Sequence, residues 1–277
     1  MIKIKILSEN RENGKFQGEA GLSVFVEAFE NKFLMDTGIS DLFLKNAKLL
    51  NVNVDDIEKI ILSHGHNDHS TGVQFLKNKE VIMHPVGFKK RWSVGRREFS
   101  GFPISEQELK EKHEVCLTRN PIEFYDNCFY LGEISMSVKF EADGNFSSML
   151  DDQYTQTDYT EDDSGIAIKT NKGLFVMIGC GHRGVCNAIE HAKVVTGQNK
   201  IYGVFGGFHL RSLTKQKEKI DQTIEYFKQN NIKELYLGHC VSDKVIDYFE
   251  KNLEGVKINR LSSGSEFELE LEPYSEK

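Results

Sequence analysis

The chain opens on alternating apolar and polar positions. Ile2, Ile4 and Ile6 are separated by Lys3 and Lys5, so Ile2 to Leu7 predicts a strand. Ser8 to Gly21 is polar and predicts a loop able to fold over a site. Leu22 to Ala28 and Phe33 to Met35 predict a hairpin about Glu30-Asn31-Lys32. Leu42, Phe43, Ala47, Leu49 and Leu50 have helical spacing, so a helix is expected from Asp41 to Leu50. Ile60 to Leu62 and Val81 to Met83 read as buried strands, and Glu106 to Glu114 as a helix. Val115 to Leu117, Phe129 to Leu131 and Ile134 to Val138 are expected to add strands.

Glu141 to Asp163 is irregular and acidic and reads as a long inserted loop near a site entrance. The pattern of the first half then recurs. Gly165 to Lys169 and Leu174 to Ile178 predict a hairpin, followed by a polar junction and a helix from Val185 marked by Ile189, Ala192 and Val195. Lys200 to Phe205 and Ile232 to Leu237 predict strands, each followed by a helix, and Phe267 to Leu271 a final strand. Strands alternating with helices and hairpins suit an α/β chain of two sheets covered by outer helices. The expectation is a single domain over 1–277, built of two similar halves, about 1–140 and 141–277.

Composition narrows the function. Hydrophobic residues at 39% and charged residues at 28% suit a globular protein. A net charge of -7 argues against a nucleic-acid-binding surface over the whole molecule. No run reaches the length of a membrane span, and the alternating start lacks the apolar core of a signal peptide. The expected location is cytoplasmic, with no membrane or nucleic-acid partner. The five cysteines, odd in number and widely spaced, fit reduced thiols rather than a disulfide framework. Cys116, Cys128 and Cys186 read as buried small hydrophobes, whereas Cys180 and Cys240 adjoin candidate ligands.

The chemistry concentrates at Ser63-His64-Gly65-His66-Asn67-Asp68-His69, directly after the Ile60–Leu62 strand. Period-2 alternation sends His64 and His66 to the same side, where both can hold one metal ion. Asp68 and His69 come where the chain turns and suit a second. Three imidazoles and a carboxylate within six residues at a strand end point to metal rather than to a solvated loop. Three further strand ends carry His182, His209 and His239, each near glycine.

His64-x-His66-x-Asp68-His69, preceded by Met35-Asp36-Thr37-Gly38, resembles the signature of the metallo-β-lactamase-fold hydrolases. The resemblance covers nearly the whole chain and implies an αββα sandwich of two mixed sheets with helices outside. It implies that Asp36 lies beneath the metal loop and organises it through hydrogen bonds. It also implies that His239, in Gly238-His239, is the last metal-binding histidine. The pattern departs from the family in two places. Cys180 stands where a bridging aspartate is usual, and the histidine expected before Gly165 is replaced by Asp162, Asp163 and Ser164. His182 is expected to fill that gap, with Cys180 dispensable. The competing arrangement has Cys180 bridging and Asp163 as a ligand. Gly179-Cys180-Gly181-His182, Gly206-Gly207-Phe208-His209 and Gly238-His239-Cys240 resemble the branch named for dihydropterin–ribofuranosylaminobenzene phosphate synthase.

The resemblance implies one or two divalent ions, zinc first, with iron, manganese or nickel also accepted by such donors. The ions would acidify water and polarise a carbonyl or phosphoryl oxygen, and Asp68 would share in catalysis. The expected activity is hydrolysis or group transfer on a small, phosphorylated or otherwise anionic substrate. His209 is assigned to substrate binding or proton transfer. Lys89, Lys90, Arg91, Arg96 and Arg97 form a basic stretch in which Arg96 and Arg97 are expected to grip the anion. A di-iron redox enzyme and a non-catalytic ligand sensor are the competing readings. An iron–sulfur cysteine pattern is missing, which weighs against the first, and the intact ligands weigh against the second.

Overall fold

The computed structural model describes residues 1–144 and 146–275. In chain order its first strands are β1 (Ile2–Ser8), β2 (Ser23–Ala28), β3 (Asn31–Met35), β4 (Lys59–Ile61), β5 (Glu80–Met83) and β6 (Trp92–Ser93). Then come β7 (Glu114–Leu117), β8 (Ile122–Tyr125), β9 (Cys128–Tyr130), β10 (Ser148–Met149), β11 (Gly165–Thr170) and β12 (Gly173–Ile178). The last are β13 (Ile201–Gly206), β14 (Glu234–Leu237), β15 (Lys257–Arg260) and β16 (Glu266–Leu269). The helices are α1 (Leu42–Leu49), α2 (Asn67–Ser70), α3 (Glu106–Lys112), α4 (Val185–Thr196), α5 (Lys217–Gln229) and α6 (Asp243–Asn252).

Two seven-stranded sheets form, in the orders β16-β1-β2-β3-β4-β5-β7 and β15-β14-β13-β12-β11-β9-β8. Each is antiparallel on one side of a central strand and parallel on the other: β3 leads into parallel β4, β5 and β7, and β12 into parallel β13, β14 and β15. The alternation of β1 decides its faces. Ile2, Ile4 and Ile6 turn inward to meet Phe175, Met177, Phe205 and Tyr236 of the other sheet, while Lys3 and Lys5 stay half-exposed. The outer face of the first sheet buries Leu34, Ile60 and Val81 with Phe43, Ala47 and Leu109 of α1 and α3. The outer face of the second is clad by α4, α5 and α6 through Ile189, Phe227 and Phe249. The layers are therefore helix, sheet, sheet, helix: the αββα sandwich.

Three differences from the sequence expectation have physical causes. Ile134 to Val138 is not a strand: the Ser137 and Val138 N–H groups donate to the Asn187 side chain at 2.8 and 2.7 Å instead of to a ladder. Ile122–Tyr125 and Lys257–Arg260 are strands that the pattern did not announce, because each forms a sheet edge with polar, partly exposed residues. The sheets also ignore a cut at residue 140. β8 and β9 join the second sheet, and β16 returns to the first beside β1. No helix among the described residues is long and apolar enough to cross a membrane.

Parallel strands deliver their carboxyl ends to one edge, the usual place for a site in such sheets. Asp36 follows β3, the histidine loop follows β4, and Cys180, His209 and His239 follow β12, β13 and β14.

Candidate metal centre

Hydrogen bonds fix the direction of each imidazole. The Ser63 hydroxyl donates to Asp36 Oδ2 at 2.8 Å, so it must accept from His64 Nδ1, 2.9 Å away. That leaves the His64 Nε2 lone pair facing inward. The Ser148 hydroxyl donates to Asp158 Oδ2 at 2.8 Å and by the same argument accepts from His66 Nε2 at 2.9 Å, turning His66 Nδ1 inward. His69 Nδ1 donates to Asp36 Oδ2 at 2.7 Å, and His239 Nδ1 lies 3.1 Å from Asn10 Oδ1. Four inner nitrogens remain, in two close pairs: His64 Nε2 to His66 Nδ1 at 2.9 Å, and His69 Nε2 to His239 Nε2 at 3.0 Å. The facing lone pairs of His64 and His66 repel unless a cation lies between them, and His69 meets His239 through a nitrogen that gives up its proton to bind, so the donor set fits metal ions.

The donors fall into overlapping groups whose ligand atoms all lie within 4.8 Å of one another. His64, His66 and His182 form one; Asp68, His69 and His239 form another. Cys180 groups with His64 and His69 on one side and with His239 and Cys240 on the other. Its sulfur lies 3.3 Å from His69 Nε2.

Local backbone makes the convergence. α2 begins right after His66 and turns His69 back under the loop. Gly65 cannot be replaced without a shift, since a Cβ there would sit 1.9 Å from the Gly87 carbonyl oxygen. After β12, Gly181 takes φ +63 and Gly184 φ +95, which lets the chain carry His182 inward before α4 starts. His239 itself has φ +53, held by its own N–H donating to the buried Glu9 carboxylate.

Burial and mutual crowding set the charges. Burial first, then the neighbouring imidazoles, hold His64, His66 and His209 well below the ordinary histidine value. Burial and His69 push His239 down to about 3. Burial pulls His69 down as well, but Asp36 and Asp68 outweigh it and raise it to about 9. These imidazoles are neutral near pH 7 apart from His69, which has a proton to surrender to an entering ion.

The Metallo-beta-lactamase superfamily model matches residues 17–87. A curated relative from Methanocaldococcus jannaschii, 7,8-dihydropterin-6-methyl-4-(beta-D-ribofuranosyl)-aminobenzene-5'-phosphate synthase, is 34% identical over 268 residues, covering 90% of each chain. This chain belongs to the metallo-β-lactamase superfamily. The crystal structure of Tm1679, a metal-dependent hydrolase of the β-lactamase superfamily, is similar at 26% identity and a TM-score of 0.84, covering 97% of this chain and 99% of that one. A diphosphatase of the PhnP family, 12% identical with a TM-score of 0.54 over 98% of this chain and 99% of that one, shares the fold.

Within this superfamily fold His66, Asp68, Cys180, His182 and His239 line a cavity of about 670 Å³ together with Asn10, Arg96, Phe146 and Arg211, and His64 and His69 adjoin them. His64, His66, Asp68, His69, His182 and His239, all named from the sequence, meet here. Asp163 belongs to none of these donor groups. Its Oδ2 accepts from Arg183 N at 2.8 Å and so braces the His182 loop, and burial holds its pKa up at about 7. His209 lines the cavity next to His182, the rings 4.6 Å apart, and its Nε2 is buried with no hydrogen-bond partner among the described residues.

The basic stretch divides. Arg96 lines the cavity and pairs with Glu98 at 2.8 Å. Arg97 does not line it; its guanidinium lies over the Tyr154 ring at 3.9 Å. Arg91 is fully buried, bonded to Asp158 at 2.7 Å and Asp162 at 2.5 Å, and Asp162 in turn accepts from Gly65 N at 2.7 Å. Asp158 and Asp162 of the acidic segment therefore lie inside and brace the metal loop, while Asp143 and Asp152 are exposed and Phe146 and Ser147 reach the cavity wall. Sequence reasoning missed Asn10, Ser148, Asp158 and Arg211. Arg211 is exposed on the cavity wall and makes no ion pair among the described residues. The available signal was its place two residues beyond His209 at a strand-end loop.

Proposed function

We propose that the chain is a metal-dependent enzyme that hydrolyses, or transfers a group on, a small phosphate-bearing molecule. One observation carries the reading: four inward imidazole nitrogens, Asp68, His182 and Cys180 converge beside a cavity whose wall carries Arg96 and Arg211. His64, His66 and His182 would hold one ion, and Asp68, His69 and His239 a second. Bound there, divalent metal supplies Lewis acidity and lowers the pKa of water. The protein's own groups do the rest. Arg96 and Arg211 attract and orient the anionic end of the substrate. His209, neutral because of burial and the adjacent His182, offers Nε2 as a proton acceptor at the cavity wall. Ser63, Ser148 and Asn10 keep the ligand nitrogens aimed inward.

Two similarities support this reading. The relative at 34% identity is named as a synthase of a 5'-phosphate compound, and the similar crystal structure as a metal-dependent hydrolase. The substrate is a small molecule, with neither nucleic acid nor membrane as partner.

Metal analysis of the purified chain, joined to a screen of phosphodiester, lactone and thioester substrates, tests the proposal. The chain should hold divalent metal, and His66→Ala should lose metal and turnover while staying folded. Full metal content and activity in that variant would end it. Arg96→Ala and Arg211→Ala should each raise KM roughly 10- to 100-fold for a phosphorylated substrate, as expected from losing about 1.5–3 kcal/mol of a charged hydrogen bond. Activity on neutral esters alone, indifferent to both arginines, would remove the anionic-substrate assignment.

A further inference from the structure

The centre contains more sulfur than its histidine-rich loop announces. Cys128 and Cys186 are embedded in the apolar clusters between the sheets and beneath α4, as inert small side chains would be. Cys180 and Cys240 belong to neither cluster. Both are buried against the donor nitrogens, and Cys180, His239 and Cys240 place Sγ, a ring nitrogen and Sγ within 4.8 Å of one another. Cys180 Sγ is also 3.3 Å from His69 Nε2.

The surrounding backbone is shaped to Cys240. The His209 N–H donates to its Sγ at 3.2 Å, the kind of contact that steadies a thiolate. Gly207 packs against the same sulfur so closely that a Cβ would lie 2.4 Å from it. The ends of β12, β13 and β14 thus enclose a pair of sulfurs opening toward His239.

We propose that Cys180 and Cys240 both bind the ion at the His239 position through sulfur, making it a site for thiophilic divalent ions such as zinc, cobalt and cadmium. The proposal rests on the metal-centre reading above and reverses the expectation that Cys180 is dispensable. Thiolate donors select soft and borderline ions over magnesium or manganese, for which oxygen donors are suited. Binding converts each thiol to thiolate and releases one proton to solvent. No electron is transferred. Cys180, which also groups with His64 and His69, lies between the two donor sets, where its sulfur can serve both.

Cobalt substitution of the full-length, metal-stripped chain tests this without reference to turnover. Cobalt-loaded wild type should show a near-ultraviolet sulfur-to-cobalt charge-transfer band beside the visible ligand-field bands. Cys180→Ser and Cys240→Ser should each lower that band by about half, and the double variant should abolish it while the histidine-held visible bands persist. Visible bands without the near-ultraviolet band in wild type would overturn the proposal and leave the metal-centre reading standing. Full intensity in Cys240→Ser would overturn it for that residue. Failure of wild type to bind cobalt at all would remove both readings together. Should the serine variants not fold, cadmium-loaded wild type decides alone: cadmium–thiolate absorption with the intensity of two thiolates per ion supports two sulfur donors, and the intensity of one or none overturns them.

Discussion

Ser148→Ala removes a single hydroxyl that no substrate need touch, yet it should weaken the metal centre. Ser148 is buried, accepts from His66 Nε2 at 2.9 Å and donates to Asp158 Oδ2 at 2.8 Å. Without it, the His66 Nε2–H group has no acceptor within hydrogen-bond reach, Asp158 Oδ2 lying 4.0 Å away, a cost of about 1–3 kcal/mol. The ring relieves this by moving its proton to Nδ1, which occupies the lone pair that faces His64 Nε2. Loss of such an outer hydrogen bond typically costs about 10–100-fold in metal affinity, which is about 1.4–2.8 kcal/mol at about 1.4 kcal/mol per decade. The two routes agree. Competition titration against a chromophoric chelator measures the affinity, and thermal melts in excess chelator separate it from general destabilisation. Ser148→Thr, which keeps the hydroxyl, should recover most of the loss. An affinity for Ser148→Ala within about twofold of wild type, with a lowered metal-free melting temperature, would refute the tautomer argument and leave Ser148 a packing residue.

Two further outcomes follow from the same site. Arg91→Met leaves Asp158 and Asp162 as uncompensated buried carboxylates, so denaturant unfolding should show a loss of about 3–5 kcal/mol; a change below about 1 kcal/mol would show that this pair of ion pairs does not hold the loop. In chelator, stability should peak near neutral pH. Below about 6.5 the unfolded chain protonates His64, His66, His209 and His239 while the folded one does not. Asp163, raised to about 7, offsets one of the four. Toward alkaline pH the contribution of His69 fades as its folded value of about 9 is crossed. A melting temperature that climbs steadily on acidification would contradict the signs.

The parts of this architecture legible in the sequence were those written locally. Period-2 alternation announced β1, the paired hairpins announced β2–β3 and β11–β12, and the His64–His69 spacing announced the candidate donors. What stayed hidden is carried by contacts between distant residues. Arg91 reads as one of a run of surface cations, and only the approach of Asp158 and Asp162 makes it internal. Ser148 and Asn10 are ordinary loop residues until β10 and the loop after β1 place them behind His66 and His239. The edge strands β8 and β15 escaped because edges carry little hydrophobic pattern, and Arg211 because an isolated cation has no periodicity to mark it.

The return of β16 to the first sheet bears on the order of events during synthesis. β16 comes from near the end of the chain and closes the antiparallel edge beside β1, from its beginning. A growing chain therefore exposes the His64–His69 loop long before His182 and His239 have been made, and β1 waits with an unpaired edge throughout. Pairings of such separation are slow to form, and open edges invite association with other chains. Early metal capture by the half-made histidine loop would find only part of its donors and be readily reversed. Complete loading belongs after β14 has delivered His239, and truncation before β16 should leave the β1 edge open and raise aggregation, read by light scattering against the full chain.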